Sequence, residues 1–284
     1  MFPTSFSYHQ AASVADAVAM LASNPEAKIL AGGHSLIPAM KLRLAAPGML
    51  VDLGRVSELK GVSIEDGVAT IGAMTTYDEL RFAEGVSEAF PILHDAINVI
   101  GDQQVRAHGT IGGALAHNDP GADLTAVFLA LGGSVQVTGT SGERTVRGED
   151  LFVDLWTTSL ELDEVITRVS LPVPAAGTLS AYKKHAHPAS GYAVVGIAIA
   201  IEQADGVVSQ ASIVITGATS KPTRAATAER ALVGKHLDRE SIARAAAVAA
   251  EGLEINGDTY ASESYRVQLI KVLAKRAIES AVSR

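Results

Sequence analysis

Apolar residues recur at helical spacing over Val14, Ala17, Val18 and Leu21, directly after Ser13. This predicts a helix over VADAVAMLAS, capped by Ser13 and stopped at Asn24-Pro25. The short apolar run KILAG then reads as a strand, LIPAMKLRLA as an amphipathic helix and MLVDLG as a strand. GVSIEDGVATIGAMTT alternates apolar and polar residues on either side of Asp66-Gly67, the signature of a hairpin. Helices are predicted over 77–82 and 91–100. GDQQVRAHGTIGG reads as a loop, and ALAHNDPGADLTAVFLALG as one continuous helix. SVQVTGTSGERTVRGEDLF is two strands about a turn at Ser141-Gly142, and EVITRVSLPVP is a strand ending in Pro172 and Pro174. Beyond it, SAYKKHAH, YAVVGIAIAIEQ and VVSQASIVITGA form an antiparallel meander. Three Ala-rich helical segments follow over 223–234, 237–254 and 262–282, and their small faces allow close packing.

Helices and strands interleave early and segregate late, which defines an α+β chain. Its 284 residues suit two domains, with the boundary near residue 177. Domains of 1–177 and 178–284 are expected. The apolar run at 192–202 is too short to span a bilayer and reads as a buried strand. MFPTSFSYHQ has neither a basic stretch nor an apolar core, so a leader peptide is not expected and a cytoplasmic location is.

Composition narrows the chemistry. There is no cysteine, which excludes disulfides, thiolate nucleophiles, thiolate zinc sites and cysteine-held iron–sulfur clusters within the chain. Any electrons the protein handles must ride on an organic cofactor or on a partner. A net charge of −8 and an aromatic content of 5% argue against nucleic acid as a partner. Eight histidines are present, but without clustered carboxylates at ligand spacing no metal site is expected. GGHSL is not a GxSxG nucleophile elbow, and no catalytic residue is assigned.

Two glycine turns carry the candidate chemistry: Ala31-Gly32-Gly33-His34-Ser35 and Thr110-Ile111-Gly112-Gly113. Paired glycines let a backbone approach a ligand and align several N–H groups. A following helix start favours an anion, and Ser35 and Thr110 add hydroxyls. Two such turns could grip a diphosphate from both sides without Lys or Arg. Neither is a Walker loop or GxGxxG, so a Rossmann domain is disfavoured.

AGGHSLIPAMKLRL, IGDQQVRAHGTIGGALAHNDPGADL, YKKHAHPASGYAVVGIAIA and ASESYR together resemble the FAD-binding medium subunit of the molybdenum hydroxylases, the carbon monoxide dehydrogenase medium chains and their relatives among them. The resemblance runs along essentially the whole chain in one order. It implies a two-subdomain FAD-binding domain of the PCMH or vanillyl-alcohol-oxidase type, with subdomains of about 1–56 and 57–177. A small antiparallel sheet with a helical bundle would follow. By the same resemblance, Ala31, Gly32, Gly33, His34, Ser35 and Leu36 would wrap the FAD diphosphate from one side. Thr110, Ile111, Gly112, Gly113 and Ala114 would wrap it from the other. Ile100 and Gly101 would lie near the flavin, Asp123 would hydrogen-bond the cofactor, and Ile166 and Lys183 would line it. His117 reads as a polar lining of the cleft, and Tyr192 resembles an aromatic lying over the ring. Arg266 reads as a structural salt-bridge residue. Gln103 and Ala107-His108 depart from the commoner Pro and Asn-Arg of the family.

The family implies an oxidoreductase subunit with FAD as cofactor, partnered by a molybdopterin-binding large chain and a [2Fe–2S] small chain. It would deliver electrons to an external acceptor such as a quinone, NAD or oxygen. Two alternatives stay open at this point: a stand-alone flavoenzyme acting on a small substrate, and a non-redox nucleotide-diphosphate-binding module.

Overall fold

The computed structural model describes residues 2–284. Three larger sheets follow one another along the chain, and a two-stranded ribbon, Phe152–Asp154 with Thr157–Thr158, falls within the sequence of the second. In the first, strand Met49–Asp52 lies between Ser7–Gln10 and Ala27–Leu30 and runs parallel to both. Parallel neighbours need crossovers, and helix Leu36–Lys41 lies in the one between Ala27–Leu30 and Met49–Asp52, while helix Val14–Ser23 joins the two outer strands. Its cap is the expected one, Ser13 accepting the N–H of Asp16. Its Ala17, Val18 and Leu21 are buried with Val51 and Leu53.

The second sheet has five strands, all antiparallel, in the order Val62–Glu65, Val68–Gly72, Val165–Pro172, Ser134–Gly139, Gly142–Arg147. Its first hairpin turns at Asp66 and Gly67, both at positive φ (49° and 75°), as Asp-Gly turns require. Helix Tyr77–Phe82 opens with a capping box in which Thr76 and Glu79 satisfy each other's backbone N–H groups.

Two expectations fail nearby. The stretch read as a loop folds into helix Gln103–His108, started by Asp102, whose carboxylate accepts the N–H of Val105. The stretch read as one helix is two, Ile111–His117 and Asp123–Ala130. Asn118 breaks it at φ 47°, and its side-chain amide donates to the carbonyls of Asp154 and Thr157.

The third sheet is the expected meander, Leu179–Ala186, Ala193–Ala204 and Val207–Thr216, with a short fourth strand, Thr223–Arg224. Helices Ala226–Leu232, Arg239–Ala247 and Glu263–Val282 cover one face. Strand Ala193–Ala204 explains its unbroken apolar sequence. Val195, Ile197, Ile199 and Ile201 pack toward these helices, while Ala198 joins Tyr182 and Val214 in the core of the second sheet. Both faces of the strand are therefore buried, so strict alternation with polar residues is absent. Arg266 is structural as expected: it is buried and donates to the carbonyls of Val194 and Gly217 and to Asp258.

The third sheet also holds segment 118–122, between helices Ile111–His117 and Asp123–Ala130. The N–H of Ala193 donates to Gly121 O (3.2 Å) and that of Gly217 to Pro120 O (2.6 Å). The Thr216 hydroxyl reaches the carbonyls of Pro120 and Ala122. No helix among the described residues is long and apolar enough to cross a membrane.

Candidate functional site

The first glycine turn follows strand Ala27–Leu30 and leads into helix Leu36–Lys41. Gly33 sits at φ +74°, where an L side chain is strained. Ser35 precedes the helix without capping it. Among the described residues, no acceptor takes the N–H of Gly33, His34, Ser35 or Leu36. Four successive unpartnered N–H groups offer a cradle that an anion could occupy. The His34 ring is anchored by Nδ1 on the carbonyl of Gly32 at 2.9 Å.

The second turn is built differently. Its glycine pair lies inside the first turn of helix Ile111–His117, and its N–H groups are taken. Ile111 donates to Thr75 O, Gly112 to Ala73 O, Ala114 to Thr110 O, and Gly113 to the hydroxyl of Thr110. A Cβ on Gly112 would lie 2.6 Å from the Cβ of Ala73 and 2.7 Å from its carbonyl oxygen. Gly112 thus lets this helix sit directly on residue 73. The two turns also interlock: a Cβ on Gly32 would come within 2.2 Å of the carbonyl oxygen of His108. The His34 and His108 rings stack beside this contact, with centroids 5.2 Å apart and planes 13° from parallel.

A cavity of about 250 Å3 opens next to the turns. It lies just under the usual range for small-molecule pockets, so it takes one end of an extended ligand. His34 and Ser35 line it from the first unit. Ile100, Gly101, Ala114, His117 and Asp123 line it from the second, and Tyr192 from the third. These eight are among the residues anticipated from sequence. Ala31, Gly32, Gly33, Leu36, Thr110, Ile111, Gly112 and Gly113 stay in the interlocked turns and do not line the cavity.

Ile166 and Lys183 do not line it either. Ile166 is buried on strand Val165–Pro172 opposite Val137, in the core of the second sheet. Lys183 is out of phase. On strand Leu179–Ala186 alternate side chains point to opposite faces, and it is Tyr182 and Lys184 that turn toward the site.

The sequence reading also missed Tyr77, Val105, Gly109, Asp119, Ser190 and Gly191, all of which line the cavity. Of these, all but Tyr77 stood inside segments already singled out, IGDQQVRAHGTIGGALAHNDPGADL and YKKHAHPASGYAVVGIAIA.

Asp123 opens helix Asp123–Ala130 and is buried. Its Oδ1 accepts the Tyr182 hydroxyl at 2.6 Å and its Oδ2 the Lys184 Nζ at 2.9 Å. Lys184 Nζ also donates to Val99 O at 3.0 Å, so one buried ammonium ties the third sheet to the Ile100-Gly101 bend. Burial pushes the Asp123 carboxyl up, and Lys184 and Tyr182 pull against it. Burial likewise raises the hydroxyls of Tyr77 and Tyr192, and that of Tyr182 well above its ordinary range. All three stay protonated at neutral pH, and the Tyr182 hydroxyl donates to Asp123. Tyr192 is half-exposed, its ring against Gly121, where an added Cβ would stand 3.2 Å from Cδ1. The cavity thus has apolar and aromatic walls, few charges, and an anion cradle at one side. That combination suits binding and positioning.

An α+β chain that joins such a cradle to a cavity at the meeting of three sheets defines a nucleotide-cofactor-binding protein. The residues fit FAD, with the free N–H groups of residues 33–36 for its diphosphate and the cavity beside Tyr77, Ile100 and Tyr192 for part of its rings. Comparison with known proteins gives the family. Residues 4–174 match the model of the FAD binding domain in molybdopterin dehydrogenase, and residues 180–281 that of the CO dehydrogenase flavoprotein C-terminal domain. The chain is 38% identical to the carbon monoxide dehydrogenase medium chain of Afipia carboxidovorans, over 100% of this chain and 99% of the relative. It is 34% identical to the glyceraldehyde dehydrogenase medium chain of Sulfolobus acidocaldarius, over 98% and 99%. Its fold matches the reconstituted CO dehydrogenase from Oligotropha carboxidovorans with a TM-score of 0.96 at 38% identity, covering 100% of both chains. The chain belongs to this family: it is an FAD-binding oxidoreductase subunit of the molybdenum hydroxylases.

Proposed function

We propose that this chain is the flavin-bearing electron-transfer subunit of a multi-chain molybdenum hydroxylase. A molybdopterin-binding large chain and a [2Fe–2S] small chain are its partners in this reading. When bound, FAD supplies redox chemistry that relays electrons from the partner's clusters to an external acceptor such as a quinone, NAD or oxygen. The observation that carries the reading is the cavity at the meeting of the three sheets, with four free N–H groups beside it.

The roles of this chain's residues follow. The N–H groups of Gly33, His34, Ser35 and Leu36 hold the diphosphate, and the turn at 110–114 holds that cradle in place. Ile100, Gly101 and Tyr192 flank the ring system, with Tyr192 at the exposed side, where a partner or an acceptor can approach. Asp123, fixed by Tyr182 and Lys184, sets the position of the Ile100-Gly101 bend. No side chain here is asked to move a proton during turnover. We divide the chain at residue 177 into the FAD-binding part, with subdomains 1–56 and 57–177, and the part that closes the cavity.

The test is to purify the chain from its native host and identify what comes with it. The reading expects flavin absorbance near 450 nm and two further chains, one large with molybdopterin and one rich in cysteine. A yellow protein that purifies alone and turns over a small substrate by itself would overturn the electron-transfer role. A colourless chain that FAD does not saturate would overturn the site.

A further inference from the structure

The cavity and its cradle contain no fixed cation: none of the described residues lining the cavity is Lys or Arg. Two lining residues are acids, Asp119 and Asp123, and only Asp123 has a lysine against it. Arg106, in the helix that also carries the cavity-lining Val105, is committed elsewhere, with NH1 on Ile100 O at 2.8 Å and Nε facing Asp78 at 4.0 Å. A diphosphate in the cradle brings two negative charges. Four N–H groups supply dipoles toward them but no whole charge.

The groups placed to supply one are the stacked imidazoles of His34 and His108. His34 belongs to the cradle itself, and its Nδ1 is held by Gly32 O, which leaves Nε2 free. His108 ends helix Gln103–His108 directly before the second turn. Both rings are exposed, so a proton from solvent reaches them. With centroids 5.2 Å apart, the two rings would hold two like charges close together if both were protonated. The other titratable groups facing the site are His117, which lies 3.9 Å from Asp119, the tyrosines 77 and 192, and the paired Asp123.

We propose that His34 and His108 form a proton-accepting pair that completes the diphosphate site, so that FAD binding takes up about one proton from solvent. This rests on the cradle holding the diphosphate. The sign follows from linkage. An anion beside the pair favours its protonated form, so bound FAD raises the pH at which the pair loses its proton. Affinity is then highest below the histidine range and falls as pH rises through it. FAD has no phosphate group that titrates in that range.

Calorimetric titration of the FAD-stripped full chain with FAD, in two buffers of different ionisation enthalpy, reads the proton count directly. The expected results are uptake of about one proton per FAD near neutral pH, and affinity about tenfold weaker at about pH 8 than at about pH 6. His34→Gln and His108→Gln each reduce the uptake, and the double variant abolishes it. His108→Arg keeps at the higher pH the affinity the unaltered chain has at the lower, because its charge is fixed. No uptake in the unaltered chain, or uptake that survives in the double variant, overturns the pair. If FAD fails to bind at either pH, it is the diphosphate site that falls.

Discussion

The two glycine turns read alike in sequence, a glycine pair beside a hydroxyl residue, yet the structure uses them in opposite ways. The first leaves the N–H groups of residues 33–36 free. The second, at 110–113, spends its N–H groups on Thr75, Ala73 and the Thr110 hydroxyl. One glycine pair shapes a cradle for a ligand, and the other lets a helix settle against backbone. A glycine motif therefore does not reveal its purpose until its donors are traced. In the function proposed above, one turn recognises and the other holds the recogniser still.

The largest expected effect falls on the holding turn. Gly112→Val drives a branched side chain into Ala73 and should lower the stability of the chain without FAD by about 3 kcal/mol, read as the midpoint of chemical denaturation. An unchanged midpoint would break the contrast between the turns.

Next comes Gly33→Ala. Strain at φ +74° costs about 1 kcal/mol, a smaller loss of stability. Relieving it rotates the cradle N–H groups away, so FAD affinity should fall about tenfold or more, measured by flavin fluorescence. If the stability loss exceeded that of Gly112→Val, the roles would be reversed.

The hydroxyls sharpen the same contrast on a finer scale. Thr110 caps its helix, so Thr110→Ala should cost about 1 kcal/mol in thermal or chemical unfolding. Ser35 caps nothing, so Ser35→Ala should change stability by less than about 0.5 kcal/mol.

Most elements were legible in the chain because their signals are local. Ser13, the Asp66-Gly67 turn and the apolar run of 192–202 each name their structure within a few residues. The misreadings are instructive in the same terms. Asp102 was a helix cap in plain sight, but the glycines around it suggested a loop. Asn118-Asp119-Pro120-Gly121 is turn chemistry set between two helical patterns, and the strength of those patterns hid it.

At the site, eight anticipated residues line the cavity, because a resemblance carried along the whole chain keeps its register. Lys183 and Lys184 point to opposite faces of their strand, and it is Lys184 that meets Asp123. YKKHAH has no apolar alternation to show which face is buried, and only the partner across the gap, Asp123, decides it. The fate of the second turn's N–H groups was out of reach for a similar reason. Their acceptors, Ala73 and Thr75, lie some forty residues earlier in the chain.

The hydrogen bonds that the third sheet sends to Pro120, Gly121 and Ala122 bear on how such subunits can diverge. Two family models meet between residues 174 and 180, a point at which hybrid subunits could be joined by design. A hybrid joined there would inherit its 119–123 segment from one parent and the strands that clasp it from the other. Tyr182, Lys184, Ala193 and Thr216 must then suit a stranger's loop, and a mismatch would distort the cavity even if each half still folded. The heritable unit is the clasp together with its loop, and the two halves are expected to drift in step.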